Sequence, residues 1–277
     1  MATRNFDQLG AIVAAGFAKV NGQEIFYTDS GGNGPVVILA HGFLMDQTMF
    51  DAQVSALSPE FRVITWDERG FGQTKWDGKD FSYWDSARDC LGLMDHFGIK
   101  KCVIGGMSQG GFLSLRAALT APERVTALVL IDTAADNDNE ETLAAYRMMV
   151  DTWVQHGPVP DLTGVIANII IAEPRENEKW IAKWQSFSRE AVKATASCLL
   201  DRDDITSRLG EIKCPAIIFH GTADTAISMA RAEALRAGLV GAGKIVPIEG
   251  AAHAANLTHA QLVNPPLIEF LRRVTAA

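Results

Sequence analysis

Residues 102–119 read CVIGGMSQGGFLSLRAAL, and the junction inside this stretch decides the fold. Cys102 to Gly105 is a short apolar run of the kind that forms a buried strand, and Phe112 to Leu119 carries a helical apolar pattern. Between them stands Gly106-Met107-Ser108-Gln109-Gly110, a GxSxG pattern followed by Gly111. A serine in that position sits on a tight strand-to-helix turn with its hydroxyl exposed at the top of a sheet. Glycines two residues before and after it are required because such a turn brings backbones too close for side chains. The helix N-terminus then offers partial positive charge and free N–H groups where an oxyanion would form.

Working outward, five more apolar runs have strand length: Pro35–Ala40, Arg62–Trp66, Val125–Ile131, Pro215–Phe219 and Lys244–Ile248. They do not alternate apolar with polar, so both faces are covered, as in a parallel sheet flanked by helices. Amphipathic segments separate them. Trp84, Ala87, Leu91, Met94 and Phe97 are spaced by three or four and mark one helix face, and Ser228–Leu239 and Gln261–Arg273 read the same way. This alternation predicts right-handed βαβ units. Asn21-Gly22 predicts the tight turn of an antiparallel hairpin near the start.

Residues 133–210 break the rhythm. No strand-like run of comparable strength occurs there, and helical patterns cover Thr142–Val154, Gly164–Ile171, Glu178–Phe187 and Arg189–Leu200, punctuated by Gly157-Pro158, Pro160 and Pro174. The segment is read as a helical cap inserted between two strands of a core formed by residues 1–132 and 211–277. It holds three of the six tryptophans, Trp153, Trp180 and Trp184, where a pocket lid would lie.

The bulk numbers are consistent with this. The chain has 277 residues, 48% of them apolar and 21% charged, enough for one large α/β domain with a deep core. The formal net charge is −8 with no basic cluster, which argues against nucleic acid and anionic membranes as partners. Met1–Gly16 is too polar and too short in its apolar part for a signal peptide, and no stretch is long enough to span a bilayer. Cys90, Cys102, Cys198 and Cys214 lie far apart in apolar segments without a CxxC pair, which predicts buried free thiols and a cytoplasmic location. A homo-oligomer is left open.

A serine hydroxyl needs a base. Of the six histidines, His41 lies upstream at a strand end, His96 near the end of a helix, His156 in the cap, and His220 at the end of a strand. His259 stands where the last helix begins and is read as a surface residue. His253 follows the last strand in a loop of small residues, Gly250-Ala-Ala-His253-Ala-Ala255, from which the ring reaches back over the sheet edge. The orienting acid should follow a strand between Ser and His. Asp224, in His220-Gly-Thr-Ala-Asp224, is preferred, with Asp132 at the end of the Val125–Ile131 strand as its rival. Two N–H donors complete the set: Gln109, immediately after the serine, and Phe43, in the loop His41-Gly42-Phe43-Leu44.

Taken together, His41-Gly42-Phe43, Trp66-Asp-Glu-Arg-Gly-Phe-Gly72, Gly106-Met-Ser-Gln-Gly110, His220-Gly-Thr-Ala-Asp224 and Ala251-Ala-His253 resemble the α/β-hydrolase superfamily in order and spacing over nearly the whole chain. The resemblance implies a mostly parallel eight-stranded sheet and a Ser108-Asp224-His253 triad, with no cofactor or metal. Small-ester hydrolases, 3-oxoadipate enol-lactonases and cofactor-free haloperoxidases are the most similar groups. Asp67-x-Arg69-Gly70-x-Gly72 resembles that family's structural turn. Three departures stand out. Leu44 replaces the proline of many haloperoxidase-like members, which weakens a perhydrolysis reading. Thr258, His259 and Ala260 replace a Glu-x-Pro after the histidine, and Gln109 replaces a common methionine, adding a polar side chain beside the serine.

The resulting expectation is a serine hydrolase of small carboxylic esters or lactones, with an uncharged, modest-sized substrate suggested by the apolar cap. A C–C bond hydrolase of aromatic degradation and a non-catalytic ligand receptor are the alternatives. Haloalkane dehalogenation is excluded by serine at the turn.

Overall fold

The hairpin predicted at Asn21-Gly22 forms, with both residues at positive φ (48° and 80°), the conformation that a two-residue type I′ turn demands. It joins β1 (Ala14–Val20) to β2 (Gln23–Asp29). The computed structural model describes residues 14–276, so the reading of Met1–Gly16 falls mostly outside the described residues. The chain continues through β3 (Val36–Ala40), α1 (Asp51–Leu57), β4 (Arg62–Trp66), α2 (Tyr83–His96), β5 (Cys102–Met107), α3 (Gln109–Thr120) and β6 (Val125–Ile131). Four helices follow: α4 (Glu140–His156), α5 (Pro160–Ile170), α6 (Pro174–Trp184) and α7 (Arg189–Leu200). Then come β7 (Ala216–Gly221), α8 (Met229–Gly238), β8 (Val246–Ile248), α9 (Ala255–Thr258) and α10 (Ala260–Thr275).

The strands form one eight-stranded sheet in the order β1-β2-β4-β3-β5-β6-β7-β8. β2 pairs antiparallel with both β1 and β4, and every other pairing is parallel. The continuous apolar runs follow from this architecture. Val37 and Leu39 face one core layer with Val103 and Val129, while Ile38 and Ala40 face the other with Ile104 and Leu128. Successive residues of a strand point to opposite faces, so a sheet covered on both sides requires apolar residues at every position. One layer packs under α2, α3 and α8, and the other under α1, α10 and the helices inserted after β6.

Two details differ from expectation. Trp84, Ala87, Leu91 and Met94 of α2, with Phe97 just after it, pack on the core as the spacing predicts, but the buried face also takes in Tyr83, Ser86, Asp89, Cys90 and Leu93. A carboxylate on the buried face misleads a pattern reading, and Asp89 is there because the Arg69 guanidinium pairs with it at 2.5 Å and 2.8 Å. The last strand is only three residues long, because Lys244 and Ile245 precede the pairing of Val246 with Phe219. Cys90, Cys102 and Cys198 are buried, Cys214 is half-buried, and all four are free thiols. Among the described residues, no helix is long and apolar enough to cross a membrane.

Candidate active site

Ser108 occupies the junction of β5 and α3 with φ 52° and ψ −113°, a sparsely populated conformation for a residue with a side chain. The surrounding backbone holds it there. Its N–H donates to Ile131 O at 2.9 Å, and its carbonyl accepts from Thr133 Oγ1 at 2.8 Å and from the Gly111 and Phe112 N–H groups. A Cβ at Gly106 or Gly110 would strike the carbonyl of Ala40, a backbone atom that has no room to retreat. This is why glycine flanks the serine on both sides. Gln109 begins α3, and the first N–H groups of a helix have no partner within it.

On the neighbouring loops, His253 Nδ1 lies 2.8 Å from Asp224 Oδ2. The other oxygen of Asp224, Oδ1, accepts from the Ala226 and Ile227 N–H groups at 2.8 Å and 3.0 Å, so the carboxylate is held in one orientation. Burial alone would raise the Asp224 pKa, but the attraction and hydrogen bond of His253 hold it below the usual carboxylate value. Burial likewise works to lower the His253 pKa, and the Asp224 charge outweighs it and raises the imidazole above its ordinary value. Nδ1–H therefore donates to Asp224 and Nε2 is left as the basic atom.

Asp132, the rival acid, is fully buried with φ 46°. Its oxygens accept from the Gly221 N–H at 2.7 Å and the Ala255 N–H at 3.0 Å, tying β6 to β7 and α9. Burial and the nearby Asp224 charge push its carboxyl up to about 8. Asp132, His220 and Asp224 bring three potential metal ligands within 4.8 Å of one another. Both carboxylates are engaged by the bonds above and His220 Nε2 by Ile227 O at 2.9 Å, leaving His220 Nδ1 without a hydrogen-bond partner among the described residues. The group reads as part of the fold's own hydrogen bonding.

The loop after β3 is tightly built. His41 is fully buried, its Nδ1 is 2.8 Å from Gly42 O, and its Nε2 accepts from the Glu68 N–H at 3.0 Å. Burial lowers its pKa to about 4, so the ring stays neutral with its proton on Nδ1. A turn closes from Met45 N–H to Gly42 O at 3.0 Å, with Leu44 at φ 59°. The following segment is fastened by Asp67, whose oxygens accept from the Gln47 and Gln73 N–H groups, in agreement with a structural reading of the Asp67–Gly72 turn.

Ser108 and His253 line one cavity of about 110 Å³. Phe43, Leu44, Met107 and Phe112 contribute from the core, with Tyr146, Met149, Val150 and Trp153 from α4 and Ile166, Ile169 and Ile170 from α5. The Gln109 side chain is not on this wall. It turns into a buried network, donating to Glu68 Oε1 at 3.1 Å and accepting from the Tyr83 hydroxyl at 3.2 Å. The polar change beside the serine therefore acts on the core. His259, expected at the surface, is half-buried and bonds Thr258 through Nδ1 at 2.9 Å.

Sequence reasoning did not find Asp138, Tyr146 and Arg202, the polar members of the wall. Arg202 donates to Asp138 at 2.9 Å and lies 4.5 Å over the Phe112 ring, and Arg231 also pairs with Asp138. The lone signal in the sequence, an arginine just past an amphipathic helix, is too common to read as a site.

Comparison with known proteins bears on the fold and the family. A thermophilic esterase from Thermogutta terrifontis superposes with a TM-score of 0.85 at 29% identity, over 95% of this chain and 99% of its own. The enol-lactonase of Burkholderia xenovorans gives 0.83 at 27% identity, over 92% and 99%. A serine hydrolase of Homo sapiens is 26% identical over 269 residues, 95% of this chain and 88% of the relative. The family model described as the alpha/beta hydrolase fold matches residues 35–260, and the chain belongs to that family.

Proposed function

We propose that the protein hydrolyses small carboxylic esters or lactones through an acyl-enzyme on Ser108. The observation that carries this reading is one apolar cavity whose wall holds both a serine on a strained strand-to-helix turn and the imidazole of a His253–Asp224 pair. The relatives named as esterase, enol-lactonase and serine hydrolase support the same class.

In the proposed sequence, Ser108 Oγ attacks the carbonyl carbon while His253 Nε2 takes its proton. The carbonyl oxygen becomes an oxyanion held by the Phe43 and Gln109 N–H groups. The intermediate collapses with cleavage of the C–O bond, and His253 returns the proton to the leaving alkoxide. A water then repeats both steps on the acyl-enzyme and releases the acid. Asp224 keeps the imidazole in the Nδ1–H tautomer throughout and stabilises the imidazolium.

Residues 133–210 act in this proposal as the cap that shapes the substrate site, inserted in a core of residues 1–132 and 211–277. The cavity is smaller than the roughly 300–1,000 Å³ of pockets for drug-sized ligands, and its charged residues neutralise one another. A short, uncharged acyl group fits these walls. The free cysteines accord with a cytoplasmic location.

The test is hydrolysis of p-nitrophenyl esters from acetate to decanoate by wild type and Ser108→Ala. Turnover of short esters that vanishes in the variant supports the proposal. A folded wild type that ignores every ester and lactone offered, yet cleaves a C–C substrate, overturns the bond assignment.

A further inference from the structure

Helix α6 carries two buried indoles with different fates. Among the described residues Trp180 Nε1 has no hydrogen-bond partner, whereas Trp184 Nε1 donates to Leu44 O at 2.6 Å. Both rings are fully buried, and neither lines the cavity that holds Ser108. The bond from Trp184 lands on a residue with an unusual backbone. Leu44 sits at φ 59°, as the third residue of a four-residue turn of this type must.

A trans peptide unit is planar, with its C=O and N–H pointing in opposite directions. Trp184 holds the carbonyl of the Leu44–Met45 peptide. The N–H of that same peptide donates to Gly42 O at 3.0 Å. The Gly42 carbonyl in turn belongs to the peptide whose N–H is that of Phe43. Gly42 O has a second donor in His41 Nδ1 at 2.8 Å, with the tautomer set by the Glu68 N–H on Nε2. Two donors on the carbonyl side define where the opposite edge of the peptide points.

We propose that Trp184 is a positioning residue for the oxyanion hole. Its indole N–H acts through two peptide units in series to lock the Phe43 N–H in its donating orientation toward the Ser108 cavity. Hydrogen bonds in such a chain also polarise one another, so the terminal N–H becomes a better donor. The inserted helix α6 and the loop after β3 thus form one unit, and a residue that touches no substrate controls the transition state. This inference rests on the ester-hydrolase reading.

The experiment compares wild type, Ser108→Ala, Trp184→Phe and Trp180→Phe. It measures kcat and KM on p-nitrophenyl butyrate and the rate at which a fluorophosphonate labels Ser108, a reaction that also develops charge on an oxygen in the hole. Trp184→Phe is expected to lower kcat and the labelling rate together by about tenfold, less than the roughly hundredfold or more for loss of a direct donor. KM should change less than kcat, because Trp184 meets the cavity only through its neighbours Trp153 and Leu44. Trp180→Phe, which deletes an indole N–H without a partner, should match wild type. If Trp184→Phe does not fold, benzothienylalanine at position 184 keeps the bicyclic shape and deletes only the N–H.

An unchanged kcat in the position 184 variants, a rise in KM alone, or an equal fall in Trp180→Phe would each overturn the proposal. A wild type that neither turns over ester nor takes the label would overturn the ester-hydrolase reading itself. That failure is distinct, because it shows before any tryptophan is changed.

Discussion

Replacing Asp224 with asparagine changes one oxygen to an amide group and nothing in the shape of the site, and the consequence can be worked from the hydrogen bonds. Asp224 Oδ1 accepts two backbone N–H groups, from Ala226 and Ile227. An asparagine must keep its oxygen there, since an NH₂ in that place would face two donors. Its NH₂ then meets His253 Nδ1, where Asp224 Oδ2 accepts at 2.8 Å in the wild type. Facing a donor, Nδ1 must become the acceptor, and the proton moves to Nε2. The ring then presents N–H to Ser108 and cannot take its proton. Holding a histidine of this kind in the wrong tautomer costs about 10⁴ in kcat, roughly 5 kcal/mol of transition-state stabilisation. Burst and steady-state kinetics on p-nitrophenyl butyrate measure this directly, with Ser108→Ala as the floor. A loss smaller than about tenfold would refute the assignment of the acid, and Asp132→Asn in the same assay tests its rival.

Three further outcomes follow from the same geometry. The Asp224 charge raises the His253 pKa, and catalysis needs the neutral ring, so kcat/KM should fall as pH drops through a value above the ordinary imidazole range. In Asp224→Asn burial lowers the His253 pKa against only the weaker attraction of Asp132 and Asp138, so the acid limb of the pH–rate profile should move to lower pH. Gly110→Ala places a methyl against the Ala40 carbonyl and near His41 O, so soluble protein should show a Tm lowered by several degrees and little turnover in thermal melts and ester assays. Arg69→Met leaves the fully buried Asp89 carboxylate with Asn21 Nδ2 as its remaining side-chain donor. Breaking a buried pair costs about 3–5 kcal/mol, and the retained bond places this case near the low end. Differential scanning calorimetry should show a Tm lower by about 6–12 °C, with kcat of the folded protein unchanged.

The parallel strands were legible because a sheet covered on both faces leaves no alternation to decode, only short apolar runs such as Val125–Ile131. The GxSxG turn was legible because its glycines answer a local steric demand within a few residues of Ser108. The apolar face of α2 was legible from its spacing, but the burial of Asp89 beside it was not, because that depends on the ion pair with Arg69 and hydrophobic spacing contains no term for a distant partner. Asp138, Tyr146 and Arg202 were missed for a related reason. They come from separate segments and share a cavity wall only after the inserted helices dock on the core.

By itself, then, the sequence determined the layer architecture, the hairpin and the strand-to-helix turn at Ser108, because each depends on periodicity or on contacts between near neighbours. It put forward His253 as the proposed base and Asp224, ahead of Asp132, as the proposed acid. Only the tertiary structure decided which carboxylate faces the imidazole, since that depends on which oxygens the Gly221, Ala255, Ala226 and Ile227 N–H groups occupy. It likewise decided that Gln109 turns away from the cavity and that Trp184 reaches Leu44 across 140 residues of chain. Hydrogen bonds are directional and short-ranged, so partners this far apart in sequence are chosen by how the packed layers align.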